Sequence, residues 1–408
     1  MSSVLADKKI VLGVTGSIAA YKAAILASRL TQAGALVDVI MTEAATKLVA
    51  PLTFQSLTRR PVHVDMFRLL EQPEIAHVSL GVGSDLLVIA PATANSIAKI
   101  AVGLADDLLS ATALAARCPI VVAPAMDAEM YENRVTQENV ARLRDRGVVV
   151  VEPESGRLAS GLVGRGRLAD PEEILGRIRW VLGRGGDLVG TSILVTAGGT
   201  QEPIDPVRVI TNRSSGKMGY AIAEAAVERG ARVTLISAPS ALKAPTAVEM
   251  VPVVTAEEMR EAVLAKLRHA DVLVMAAAVS DWRVDQTSTR KIKRGDKSVQ
   301  ITLVPNPDIL METARLPEGV SVPLRVGFAA ESEDLVANAR DKLVRKRLDL
   351  IVANLIQAGG GVFGSDLNEV VMLDSRGRQV DVPLSPKLEV AHRILDQVAL
   401  LLKERSVK

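Results

Sequence analysis

Two groups of residues in this chain have the types and spacing for chemistry on anions. The stretch TAGGTQEPIDPVRVITNRSSGKMG, residues 196–219, sets Gly198, Gly199, Pro203, Pro206, Asn212, Ser214, Ser215 and Gly216 between an apolar strand pattern and an amphipathic helical pattern that starts at Lys217. Hydroxyls and unpaired backbone N–H groups at a helix N-terminus suit a phosphate or a developing oxyanion. The connection is also several times longer than the about two to six residues that usually join a strand to a helix in such units. The second group is Gly13-Val14-Thr15-Gly16-Ser17, again between a strand and a helix. It is neither GxGxxG nor a P-loop, so alone it is a weak sign of a nucleotide. Cations stand nearby in sequence: Lys291 and Lys293 in RKIKRGDK, and Lys342 and Lys346, whose four-residue spacing puts them on one helix face.

These residues need a scaffold, and the apolar pattern predicts two. From Lys9 the runs KIVLGV, LVDVIMT, DLLVIAP and PIVVAPAM alternate with helical periodicity over residues 17–34, 133–146 and 171–182. After GRGGD at 183–187, the runs SILVT, RVTLIS, DVLVMAAA, LRVGFAA and DLIVAN alternate with helices over 217–230, 256–269 and 334–347. The expected class is α/β, with two Rossmann-like domains of mainly parallel strands: residues 1–182, a linker at 183–190, and residues 191–408. Ligands in such sheets sit beyond the carboxyl ends of the strands. That rule selects Gly16, Ser17, Thr42, residues 91–95 and 124–127 in the first half. In the second it selects Gly198 onward, residues 277–281, 328–331 and Asn354.

Composition narrows the partners. Of 408 residues 48% are hydrophobic and 24% charged, the net charge is +2, and aromatic residues make up 2%, too few for the stacking platforms of a nucleic-acid binder. No apolar run reaches the length of a membrane span. His63, His77, His269 and His392 lack zinc-site spacings, the single Cys118 excludes an internal disulfide, and the N-terminus lacks a secretory pattern. A cytoplasmic protein with small-molecule substrates is expected.

Ten segments in order, GSIAAYKA, APATAN, PAMDAEMY, GRLASGLVGRGRL, DPVRVITNRSSGKMG, AAAVSDWR, KIKR, NPDIL, VGFAAE and DLIVAN, give the chain its resemblance to a family. It resembles the fused phosphopantothenoylcysteine decarboxylase/phosphopantothenate-cysteine ligases of coenzyme A synthesis. The resemblance implies a flavodoxin-like first domain that binds FMN, with phosphate at Gly16, Ser17 and Ile18 and further contacts from Thr42, Ala92, Thr93 and Asn95. His77 matches the catalytic histidine, whose near-neutral pKa suits proton transfer. FMN oxidises the thiol-bearing carbon, which lets the neighbouring carboxylate leave as CO2. Two positions depart from the family pattern: Asp127 stands where asparagine is usual, and Ser160 where a cysteine acid is usual. Both are expected in the decarboxylase site, with a neighbouring substrate carboxylate keeping Asp127 protonated and Ser160 only positioning. The alternative is an impaired or non-catalytic flavin module beside an active ligase. Gly156, Gly161, Gly164 and Gly166, with Arg157, Arg165 and Arg167, suit a lid over an anionic substrate.

For the second half, the same resemblance implies a CTP-dependent ligase working through an acyl-cytidylate. Asn212 would hold the acyl carbonyl, and Lys291 would neutralise the triphosphate. Asp281 would contact CTP through Mg2+, and Met275, Ala276, Ala277, Pro307, Asp308, Ile309, Leu310, Phe328, Lys342 and Lys346 would complete the nucleotide pocket. Similar decarboxylases form trimers with FMN between subunits and similar ligases form dimers, so a homo-oligomer is expected, with a dodecamer as the combination of the two.

Overall fold

The computed structural model of the chain describes residues 4–67, 76–294, 298–315, 323–331, 334–355 and 364–406, so the end of the basic run RKIKRGDK lies outside them. The chain divides into two compact units, Ser2–Leu182 and Gly183–Lys408. Each is built on one dominant sheet.

The first sheet has six parallel strands, ordered Val62–His63, Leu36–Met41, Lys9–Val14, Leu86–Ala92, Ile120–Pro124 and Val149–Val150. Leu86–Ala92 is buried at every position, as a continuous apolar run in a sheet covered on both faces must be. Chain direction across the sheet reverses between Lys9–Val14 and Leu86–Ala92, and that switch point leaves a crevice at their carboxyl ends. Helix Ala20–Gln32 packs Ala20, Ala23, Leu26, Ala27 and Leu30 inward at helical spacing, and residues 17–19, expected to be helical, form the turn before it. The glycine-rich segment is an antiparallel hairpin, Glu154–Arg157 with Val163–Arg167.

The second sheet has eight strands. Six are parallel, ordered Glu249–Pro252, Arg232–Ser237, Ser192–Ala197, Val272–Met275, Leu324–Glu331 and Leu350–Leu355, and Leu367–Asp374 and Gln379–Pro386 extend this edge antiparallel. Its switch point lies between Ser192–Ala197 and Val272–Met275. Inside the long connection after Ser192–Ala197, Gln201–Pro203 pairs with Val209–Thr211. Helix Lys217–Glu228 then crosses close to the sheet at Gly219, where a Cβ would come within 2.6 Å of the Ala197 Cβ.

Residues 183–190 go with the second unit. A Cβ on Gly186 would meet the Arg229 carbonyl oxygen at 2.4 Å, so only glycine lets the chain pass there. Arg229, 4% exposed, bonds both oxygens of Asp187, at 2.9 and 2.6 Å, and reaches Asp396 at 2.9 Å on the C-terminal helix Lys387–Ser406. Arg229's hydrogen bonds hold the Asp187 carboxyl below its ordinary value, against the opposing effect of burial. Its stabilising contribution is therefore present above the unfolded pKa of about 3.9 and is lost as pH falls through the lower folded value. Arg229→Met is expected to cost about 3 kcal/mol, since it removes the buried guanidinium that binds the partly buried carboxylates of Asp187 and Asp396. In urea titrations the gap between wild type and variant should narrow below about pH 4; an unchanged midpoint at neutral pH would contradict this.

Candidate functional site

In the first unit a cavity of about 940 Å³ opens at the switch point. Thr15, 1% exposed, holds its two walls together: its Oγ1 donates to the Pro91 carbonyl at 2.7 Å and accepts from the Thr93 amide at 3.0 Å. Gly16, Ser17, Ile18, Thr42, Thr93 and Asn95 all line the cavity. Thr42 and Thr93 also cap the helices that start after them, accepting from Ala45 N and Ser96 N. The wall is made of small residues in close approach, since a Cβ on Gly16 would lie 2.5 Å from the Ala44 Cβ. A cavity of this size, with a helix start behind Gly16 and Ser17, fits a flat ring system with a phosphate.

The departures from the family pattern prove to be one contact. Asp127 caps helix Ala128–Glu132 through Oδ1, and its Oδ2 accepts from Ser160 Oγ at 2.5 Å. The hairpin brings Ser160 there. Met126 N donates to the Gly166 carbonyl at 2.9 Å, and a Cβ on Gly166 would meet the Met126 carbonyl oxygen at 2.4 Å, so the second hairpin strand lies flat on the 126–128 turn. Arg157 and Arg167 line the cavity. Arg165 instead fastens the hairpin, pairing with Glu152 at 2.6 Å and lying 5.5 Å over the Tyr131 ring. Lys22, which also lines the cavity and donates to the Leu168 carbonyl at 3.2 Å, has its pKa lowered by burial and then by the charge of Arg167.

Two expected residues lie elsewhere. Ala92 is fully buried in the apolar core, because it still belongs to the strand rather than to the turn after it. His77 opens helix Ala76–Val82, which packs on helix Leu108–Ala115 and lines no part of this cavity. Its Nδ1 is buried with no hydrogen-bond partner among the described residues.

The second unit repeats the arrangement. Thr196, fully buried, accepts from the Ala277 amide at 3.2 Å, and Thr200 Oγ1 accepts from the Ser280 amide at 2.9 Å, so the loops after the two switch-point strands are again tied together. They border a cavity of about 610 Å³. Asn212, Met275, Ala276, Ala277, Asp281, Pro307, Asp308, Ile309, Leu310, Phe328, Lys342 and Lys346 all line it. Asn212 Nδ2 donates to the Val279 carbonyl at 3.0 Å, a bond that fixes the orientation of its amide. Lys346 pairs with Asp308 at 2.9 Å, and Lys342 donates to the Phe328 carbonyl at 2.9 Å.

Lys291 is the exception. It is exposed and lines no part of the cavity, because its segment is fastened elsewhere: Ile292 N donates to Asp205 at 3.1 Å, and Arg208 donates to the Ile292 carbonyl at 3.0 Å. Sequence reasoning gave no role to Thr15, Thr196 and Lys217, which lie inside its motifs, and did not single out Asn368 or Lys387. The last three line the second cavity. A buried threonine at the carboxyl end of an apolar strand was the available signal for the first two. Among the described residues no cluster of three or more His, Cys, Asp or Glu could hold a metal, and no helix is long and apolar enough to cross a membrane.

Comparison with known proteins separates the same two halves. Residues 2–182 match the Flavoprotein family, and residues 188–401 match the DNA/pantothenate metabolism flavoprotein C-terminal domain. The coenzyme A biosynthesis bifunctional protein CoaBC of Bacillus subtilis is 44% identical over 403 residues, covering 98% of either chain. That of Mycobacterium bovis is 46% identical over 408 residues, covering 97% of either. A crystal structure of the C-terminal domain of such a protein is 40% identical, covers 54% of this chain and 99% of its own, and has a TM-score of 0.46. None of these findings supports the alternative of a non-catalytic flavin module. The chain belongs to the coenzyme A biosynthesis bifunctional family and is an enzyme with a flavoprotein decarboxylase half and a ligase half.

Proposed function

We propose that the second cavity joins 4'-phosphopantothenate to cysteine at the expense of CTP, and that the first decarboxylates the product, phosphopantothenoylcysteine, to 4'-phosphopantetheine with FMN. The single observation that carries this reading is the pair of cavities at the two switch points, each bordered by residues of the motifs that tie the chain to its family.

In the ligase half, a carboxylate oxygen of the acid attacks the α-phosphorus of CTP, the bond to the β-phosphate breaks, and pyrophosphate leaves with the electron pair. The cysteine amine then attacks the acyl carbon and CMP leaves. Negative charge accumulates in both steps, which suits Lys342 and Lys346 on the cavity wall. Asp281, on the cavity wall, would hold Mg2+ together with phosphate oxygens, the ligands a hard cation prefers. Asn212 is fixed through Nδ2, and its role is to orient the acyl group. Lys291, on an exposed arm, serves only if that arm closes on a cavity of its own or of another copy.

In the first half, Gly16, Ser17 and Ile18 would hold the FMN phosphate, and Thr42, Thr93 and Asn95 would border the rest of the cofactor. When bound, FMN supplies the oxidation and reduction at the carbon bearing sulfur. Arg157 and Arg167 attract the anionic substrate, and the hairpin excludes water. Asp127, held by Ser160 at one carboxyl oxygen, would donate a hydrogen bond to the substrate carboxylate through the other. His77 is the proton-transfer residue by family likeness, yet it stands outside its own cavity, so it has to serve the cavity of a neighbouring copy. Ile18 and Tyr21, 65% and 58% exposed at the cavity wall, offer an apolar surface for such a copy. We infer a cytoplasmic homo-oligomer with trimeric contacts between first halves and dimeric contacts between second halves.

Incubating the protein with 4'-phosphopantothenate, cysteine and CTP and weighing the products tests both halves together. The expected result is 4'-phosphopantetheine, CMP, pyrophosphate and CO2; use of CTP that does not depend on 4'-phosphopantothenate would contradict the reading. Gly166→Ala should lift the hairpin from the 126–128 turn and lower CO2 release by about a hundredfold, as misplacement by roughly an ångström does, with pyrophosphate release unchanged. An equal loss of both activities would argue against a local effect. Asp127→Asn keeps the helix cap but removes the transferable proton. Slower CO2 release is expected, and faster release than the parent would rule out the protonated aspartate.

A further inference from the structure

The hairpin inside the long connection of the second unit holds a carboxylate that its own turn has no need to bury. Strands Gln201–Pro203 and Val209–Thr211 are joined by residues 204–208, and the second strand runs directly into Asn212 on the cavity wall. Pro206, Val207 and Arg208 in this turn are exposed, yet the Asp205 side chain is 0% exposed. Its Oδ1 accepts from the Val207 and Arg208 amides, both at 2.8 Å, the local bonds by which an aspartate shapes its own turn. An aspartate with that task alone would leave its second oxygen in water.

Oδ2 is instead covered by a distant segment. Strands Trp282–Val284 and Leu303–Pro305 pair antiparallel, and between them lies the arm that carries Lys291. The outgoing side of the arm follows the hairpin. Thr287 Oγ1 donates to the Pro203 carbonyl at 3.1 Å, Ser288 N to the Ile204 carbonyl at 3.0 Å, and Ile292 N to Asp205 Oδ2 at 3.1 Å. One nitrogen of Arg208 closes the grip, donating to Asp205 Oδ2 at 2.8 Å and to the Ile292 carbonyl at 3.0 Å. Burial opposes ionisation of Asp205, but the amides of Val207, Ile292 and Arg208 and the charge of Arg208 outweigh it and hold the carboxyl below its usual range. Hydrogen bonds to an ionised acceptor are the strong ones, so both main-chain groups of Ile292 are firmly fixed, one residue after Lys291.

The hairpin that grips the arm is itself tied to the cavity, since Asn212 Nδ2 donates to the Val279 carbonyl at 3.0 Å. The root of the arm is thereby referred to the cavity wall, and a charged group that acts on a reacting phosphate gains most of its effect from being held in place. We propose that Asp205 is a positioning residue of the ligase reaction: its Oδ2 fixes the root of the arm at Ile292 and so sets the point from which Lys291 reaches the nucleotide. An aspartate that only stabilised the turn would need no contact with Ile292. This rests on the reading in which Lys291 neutralises the triphosphate, and the experiment separates the two ideas.

Asp205→Asn is the discriminating change, because asparagine keeps one oxygen for the Val207 and Arg208 amides and turns an NH2 group, a donor, toward the Ile292 N–H. Pyrophosphate release from CTP in the presence of 4'-phosphopantothenate is measured for full-length wild type, Asp205→Asn, Lys291→Met and the double variant. Asp205→Asn is expected to slow release by about a hundredfold at saturating CTP, and by less than about threefold where Lys291→Met is already present. A merely structural residue would slow release equally in both backgrounds. Trypsin is expected to cut Asp205→Asn after Arg290, Lys291 or Lys293 about tenfold faster than wild type, since local opening exposes the chain to proteases. Equal losses in the two backgrounds, no loss in the single variant, or unchanged tryptic cleavage overturns the proposal. If Asp205→Asn does not fold, the same outcomes are read from Ile292→Pro, which removes the N–H that meets Oδ2 and leaves Asp205 in place. Lys291→Met that releases pyrophosphate as fast as wild type would instead overturn the role of Lys291, and wild type that releases none would overturn the ligase reading itself.

Discussion

The polarity of a parallel sheet is the constraint on which both halves depend. The carboxyl ends of the parallel strands lie along one edge, the following helices start there, and the first N–H groups of those helices have no partner within their own helix. Where strand order reverses, neighbouring loops part and the edge opens. Each half then uses buried threonine hydroxyls to fix the gap: Thr15 spans to Pro91 and Thr93, and Thr196 and Thr200 span to Ala277 and Ser280. The same solution in both units, with unrelated residues around it, makes the threonine clamp a consequence of topology more than of either reaction.

Around these equivalent openings the walls diverge. The first cavity is bordered by Gly16, Ser17, Ala44 and Thr93, whose small side chains leave room for a ring, and Lys99 contributes little free charge because Asp106 and Asp107 hold it at 2.7 and 2.8 Å. The second gathers four lysines, Lys217, Lys342, Lys346 and Lys387, in a smaller volume. Such crowding opposes folding and favours polyanion binding, a trade in which stability is given up for function at one place in an otherwise apolar sheet. Arg229, buried between Asp187 and Asp396, stabilises the same unit away from the cavity.

The parallel strands and the residues just beyond them were legible in the sequence, because continuous apolar runs such as LLVIAPA and SILVT can only be interior strands and the polar residues after them must lie at the ligand edge. The antiparallel strands Leu367–Asp374 and Gln379–Pro386 were not, since Glu369, Asp381 and Ser385 break their apolar runs. Lys387 and Asn368 were invisible for that reason: without those strands nothing brought residues so late in the chain back to the edge. The hairpin at Glu154–Arg157 and Val163–Arg167 has glycine and arginine where strand formers would stand, and it is held by Met126 and Arg165 instead of by its own propensity. His77 and Lys291 carried the right chemistry in sequence, but a short helix and the Asp205 anchor set them apart from the cavities.

In the proposed function one chain holds two sites, for a flavin at the first edge and for a nucleotide at the second. Native mass spectrometry of the purified protein with and without added CTP tests it most directly. The account predicts one FMN per chain, retained throughout, and one CTP per chain added without displacing it. Displacement of FMN by CTP, or a chain that holds neither, would contradict it.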